Sequence, residues 1–213
     1  MSTARTRHNY AGRSVQERRA ERRALFIEAG LTVFAEKSYA ASSISDVCAA
    51  AGLSRRQFYE QYSSREALLI DIYDQVQHRA RAALVDGLAA AAGGDPRQML
   101  AAATRAYVHA VTDDIRCAQI AFVEIVGVSD TVERHRLEIR DEWVRLIEDT
   151  ATTVPGSRTP PGGWGLAMAA FIGAVNASAH RWSRSEPRPP VDDLLDVLST
   201  LLRALVLPDT IDD

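Results

Sequence analysis

AGLSRRQFYEQYSSREAL, residues 51–68, is the stretch on which the reading of the whole chain turns. Gly52 interrupts two short helical patterns, and a turn at that point needs a residue that accepts positive φ. Ser54 stands as the natural cap of the second pattern, Arg55-Arg56-Gln57-Phe58-Tyr59. Just upstream, Ser42-Ser43-Ile44-Ser45-Asp46-Val47 sets hydroxyls before a short apolar helix, which Ser42 or Ser43 can cap. Two helices of about two turns joined by Gly-Leu-Ser predict a helix-turn-helix.

Such a unit works because its second helix fits the major groove, about 12 Å wide, while the first crosses the backbone. The second helix must then be apolar inward and polar outward. Leu53 and Phe58 fill the inward role, leaving Arg55, Arg56 and Gln57 as base-reading candidates, since Arg can donate a fork to guanine and Gln can pair with adenine. Phosphate contacts fall to Ser43, Tyr59, Tyr62 and Arg65. Ser42 and Ser54, the other hydroxyls at the helix starts, complete the candidate DNA-binding set.

Moving outward, Phe26, Ala29, Gly30, Val33 and Phe34 recur at helical spacing, so a helix running from Val15 to Lys37 precedes the motif. Residues 1–14 hold almost nothing to bury and read as a basic arm. Arg5 and Arg7 could enter a minor groove or simply belong to a free tail. After Ser64, a long helix carries Leu69, Ile72, Tyr73, Val76 and Leu84 on one face until Ala-Ala-Gly-Gly-Asp-Pro breaks it at 91–96. Further helical segments lie at about 97–111, 116–128, 131–150, 164–183 and 191–207, and six of the eight prolines lie in the last two loops between them. With no alternating strand pattern and no internal repeat, the chain is expected to be all-α, with about nine helices. The organisation expected is an arm (1–14), a helix-turn-helix domain (15–64) and a C-terminal helical domain (65–213).

Composition fits a chain able to bury a core: 46% of its 213 residues are hydrophobic and 25% charged. A net charge of −3 hides an asymmetry. Residues 1–65 hold 11 basic against 6 acidic side chains, the remainder 14 against 22. A basic front suggests a polyanionic partner, although a solvated Arg-rich helix fits the charge equally well. No apolar run is long enough to span a bilayer, the basic start lacks the apolar region of a signal peptide, and Cys48 and Cys117 lie far apart. These features point to a cytoplasmic protein with reduced thiols and no membrane association. An enzyme is disfavoured. There is no nucleophile elbow, phosphate loop or zinc-spaced cluster, Gly163-Trp164-Gly165 is an incomplete dinucleotide fingerprint, and the His135/Glu138 pair is a common coincidence. No metal or cofactor is expected.

The 51–68 stretch closely resembles the signature of tetracycline-repressor-like (TetR) transcriptional regulators: a small pair, a Leu-Ser turn, spaced aromatics, then Ser-Arg-Glu-Ala-Leu. The likeness extends upstream through Ser42 to Val47 and the Phe34 stripe. It implies that Tyr59 and Arg65 take the family's phosphate-contacting positions and Ser43 its hydroxyl at the second helix. Departures are Arg65 for the commoner Lys, Ser38 for Gly, Cys48 for Ala, Gly30 for Ala, and Arg56 where a small residue is frequent. The resemblance also implies a divergent C-terminal domain that binds a small molecule and dimerises through its last two helices.

Within that domain, Tyr107, Val111, Phe122, Trp143, Ile147, Met168, Phe171 and Val175 are candidate pocket walls, with Leu100, Ala103 and Val126 beside them. Glu124 and Asn176 stand among them as polar groups able to orient a ligand. Ordinary core packing or a paired carboxylate explains the same residues. Gly173, Ala177 and Trp182, with Leu194, Leu198, Leu201 and Leu205, suit a self-complementary helix interface, with internal core packing as the alternative. The expected function is a ligand-responsive regulator, a repressor that binds a palindromic operator in double-stranded DNA as a homodimer and is released by a small, largely apolar effector. The competing readings are an enzyme and a helical protein-interaction module.

Overall fold

The computed structural model describes residues 15–207, in which every regular element is helical. The proposed arm at 1–14, with Arg5 and Arg7, lies outside the described residues. Helix α1 (Val15–Lys37) buries Phe26, Ala29, Leu31 and Phe34 and ends at Ser38, which takes φ 67. The short helices α2 (Ile44–Ala51) and α3 (Arg55–Tyr59) come next, joined through Gly52 at φ 66. Their core is aromatic: Phe26 meets Phe58 edge-on with centroids 5.3 Å apart, and Tyr62 closes the cluster.

The long helix α4 (Arg65–Ala90), capped by Ser64, runs from this unit into the C-terminal body. There it packs extensively on α5 (Pro96–Thr112), which starts with proline at its first turn. The segment expected as one helix over 116–128 is instead a five-residue helix, α6 (Ile115–Gln119), and then a π-helical turn, Ile120–Glu124. The Ile125 amide reaches back to the Ile120 carbonyl, and Gly127 at φ 70 then ends the segment. Helix α7 (Asp130–Ala151) starts at the Ser129 cap, and α8 (Gly163–Arg184) and α9 (Val191–Val206) are the last elements among the described residues.

The last two helices correct part of the expected dimer surface. Leu194 and Leu198 point into the protein's own core, because the Leu stripe of α9 is wide enough to serve the core on one side and solvent on the other. Trp182 is buried as well, its indole N–H donating to the Pro189 carbonyl at 2.9 Å beneath the Arg188 guanidinium. The outward set is narrower: Gly173, Ala177 and Leu201 are exposed and Leu205 is half-buried. Leu166, Ala170 and Val197 extend the same exposed faces. Among the described residues no helix is long and apolar enough to cross a membrane.

Candidate nucleic-acid interface and effector cavity

Local chemistry builds the first site. Ser43 caps α2, its hydroxyl accepting from the Asp46 amide at 3.2 Å while the Asp46 carboxylate accepts from the Ser43 amide at 2.8 Å. Lys37 donates to the same carboxylate at 2.7 Å, and this pair, with the Ser43 hydroxyl, holds Asp46 down to about 2. A carboxylate lowered in the folded state stabilises above its unfolded pKa and loses that effect as pH falls, so the cap persists through neutral pH. Helix α3 repeats the device with Ser54 and Gln57.

The result is a short helix with a cationic outer face. Arg55, Arg56 and Tyr59 are exposed, Tyr59 by 53%. Arg56 leans on Glu60 at 3.4 Å, and Arg55 reaches the Ser45 hydroxyl at 3.5 Å. Ser43, Ser45 and Ser54 are exposed beside them. Sequence reasoning misses Ser45 because it looks like an ordinary first-turn serine; only its position opposite Arg55 brings it to this face.

Four expected contact residues are committed to the fold instead. Tyr62 is buried, and its hydroxyl donates to Asp71 at 2.7 Å, with burial first and that carboxylate second pushing its pKa far up. Ser42 is buried, donating to the Tyr39 carbonyl at 2.8 Å. Arg65 folds back so that its guanidinium stacks 4.1 Å from the Tyr39 ring centroid and donates to the Ser42 carbonyl. The Gln57 side-chain oxygen accepts from the Ser54 amide at 2.9 Å, so Gln57 serves as a cap before it serves as a reader.

The second site is a cavity of about 240 Å³ enclosed by α4, α5, α7, α8, α9 and the π turn. Of the expected wall, Tyr107, Phe122, Trp143 and Ile147 line it, with Phe171, Val175 and Asn176 from α8; Leu100 and Ala103 line it too. Val111 and Met168 do not. They are buried against neighbouring helices without reaching the cavity. Val126 is 51% exposed, since the π turn shifts the residues after it out of helical register.

Glu124 is also corrected. Its carboxylate turns away from the cavity and accepts from the Tyr39 backbone amide at 2.7 Å, in the loop between α1 and α2. The same part of the body holds α1 through Arg116, which donates to Glu28 and to Thr32, both at 2.7 Å. Contributions that sequence reasoning misses come from α4 (Tyr73, Gln77, Leu84, Leu88) and α7 (Glu133, Arg136, Arg140). The α4 face is visible as periodicity, but periodicity alone does not separate a helix contact from a cavity wall.

Comparison with known proteins bears on both sites. Residues 26–72, the span from the α1 core to the first turns of α4, match the model of the bacterial regulatory proteins of the tetR family. Over these residues the chain is similar to the DNA-binding segment of tetR-family regulatory proteins. The matched model describes regulatory proteins, not enzymes. The chain is 28% identical over 127 residues to the HTH-type transcriptional repressor DhaR of Mycobacterium sp. (strain GP1), an alignment covering 57% of this chain and 61% of DhaR, less than two thirds of that relative's length. In fold, it resembles the fatty acid degradation regulator FadR of Bacillus halodurans with TM-score 0.73 and 16% identity, covering 85% of this chain and 94% of FadR. The FadR of Bacillus subtilis, solved in complex with stearoyl-CoA, superposes with TM-score 0.71 at 16% identity over 84% and 96% of the two chains.

Proposed function

We propose that this protein is a TetR-family repressor that binds a palindromic operator as a homodimer and is released when a small, largely apolar effector enters the cavity. In this reading residues 15–64 are the DNA-binding unit, and residues 65–213 bind the effector and dimerise. The exposed cationic face of α3 carries the proposal. Arg55 and Arg56 read base edges, while Tyr59, Ser43 and Ser45 hold phosphates.

Two further features support the rest. Leu166, Ala170, Gly173 and Ala177 on α8 and Val197 and Leu201 on α9 are exposed and small or apolar, which suits an isologous four-helix contact. For release, the π turn contributes Ala121 and Phe122 to the cavity wall and, through Glu124, grips the Tyr39 loop. An effector that reshapes this turn shifts the helix-turn-helix, and by linkage DNA and effector weaken one another equally. That the FadR neighbour from Bacillus subtilis holds stearoyl-CoA agrees with an effector carrying an apolar chain. A cytoplasmic location accords with free, buried Cys48 and Cys117.

Fluorescence anisotropy with labelled duplex from the promoter beside the protein's own gene tests the DNA reading. Arg55→Ala and Arg56→Ala should each weaken binding about tenfold or more, the ~1–3 kcal/mol of a base-reading arginine. Both variants binding as the wild type does would remove α3 as the reading helix.

A further inference from the structure

We propose that the cavity is built for a linear apolar molecule that ends in an anionic head, with Arg140 as the head-group site. This deepens the apolar-effector reading and rests on it. Helix α7 lines the cavity from Glu133 to Ala151, and its charged lining residues all fall in its first half. At one end Leu84, Leu88, Val154, Leu198 and Leu202 make an apolar wall drawn from α4, α9 and the turn after α7. At the other end Glu133, Arg136, Leu137 and Arg140, spaced i, i+3, i+4 and i+7, put one face of α7 at the rim. Leu137 and Arg140 are exposed there, so this rim is the mouth.

The charges at the mouth are not interchangeable. Glu133 accepts from the Gly127 amide at 2.9 Å and from Arg136 Nη1 at 2.9 and 2.8 Å. The Gly127 N–H, more than Arg136, holds its carboxyl below the usual range. Glu133 is therefore ionised and already saturated, and it has little to offer a cationic ligand. Arg140 is in the opposite condition: its nearest carboxylate, Asp141, lies 4.0 Å away, beyond hydrogen-bond range, and its side chain is 45% exposed. Of the three charged residues that line the mouth two are positive, and the Arg140 guanidinium makes no hydrogen bond among the described residues, an arrangement that favours a carboxylate or phosphate.

Between the two ends the polar groups fall into two kinds. The Thr104 hydroxyl donates to the Leu100 carbonyl and the Trp143 indole donates to Gln77, both at 2.8 Å, so these are satisfied internally. Among the described residues the Tyr107 hydroxyl and the Asn176 amide have no hydrogen-bond partner, although both line the cavity. They suit a neutral polar group partway along the ligand.

Titration calorimetry on the full-length protein with four probes of one chain length tests the inference: decanoate, decanoyl-CoA, 1-decanol and decylamine. Decanoate or decanoyl-CoA should bind at least tenfold more tightly than 1-decanol, with decylamine weakest. Whichever of the two anions is preferred identifies the head as a free carboxylate or a phosphate-bearing thioester. Arg140→Gln should bring the anion's affinity to within about threefold of 1-decanol while leaving 1-decanol unchanged, which also shows that the variant is folded. Equal binding of 1-decanol and the anions, tightest binding of decylamine, or an Arg140→Gln variant that keeps the preference overturns the head-group site alone. Failure of all four probes to bind overturns the apolar-effector reading as well.

Discussion

Gly30 and Gly87 are positions where two helices come too close for a side chain. Gly30 reads in the sequence as a mere cost to α1 of about 1 kcal/mol relative to alanine. A methyl at that position would come within 2.7 Å of Ile72 Cδ1 and 2.9 Å of Leu68 Cδ2, so the glycine lets α1 lie on α4. Gly87 is tighter, because a methyl there would meet Ala106 Cβ at 2.7 Å and the Ala102 carbonyl oxygen at 3.0 Å, and backbone cannot step aside. Gly87→Ala should therefore destabilise the protein by about 1–3 kcal/mol despite its better helix propensity, as read by urea denaturation. A stabilised variant would contradict the close α4–α5 approach. Such contacts are invisible in sequence, since they depend on what lies opposite. Caps are different: Ser43, Ser54 and Ser64 are legible because each acts on residues two or three positions away. Tyr62 falls between the two cases. It shares a face with Phe58 at i, i+4, which points inward, but its hydroxyl suggests a surface role, and only the fold brings Asp71 opposite it.

At the scale of elements, the π turn Ile120–Glu124 joins the two sites. Over five residues no sequence pattern separates a π turn from an α-helix, so the segment reads as continuous helix and Glu124 as a cavity residue. The turn's real geometry sends Phe122 to the cavity and Glu124 to the Tyr39 amide. His180 steadies it from α8, its Nδ1 standing 2.9 Å from the Phe122 carbonyl. Glu124→Ala should raise the hydrogen-exchange rate of the Tyr39 amide several-fold and leave amides in α5 and α9 unchanged, whereas Glu124→Gln, which keeps an acceptor, should change it less. An unaltered Tyr39 rate in the alanine variant would mean that the turn does not hold the loop.

For the whole molecule, the number and order of helices are legible because apolar periodicity, serine caps and glycine or proline breaks all agree. The helix-turn-helix is the most legible part, since its turn, caps and inward aromatics are local. The C-terminal body is legible only as helices. Which leucines of α9 face inward, and which α7 charges rim the cavity, depend on contacts between segments tens of residues apart. The charge asymmetry fits this division: the basic front carries the exposed face of α3, and the acidic remainder forms the body that encloses the cavity.

The central claim is that α3 enters duplex DNA as one of a symmetric pair. A nuclease-protection footprint of the wild-type protein on the region beside its own gene, taken at low ionic strength, tests it most directly. Two protected half-sites of inverted sequence are expected, their centres about 34–36 Å or a multiple of that apart along the duplex. Protection of a single half-site, or no protection anywhere in that region, would contradict it.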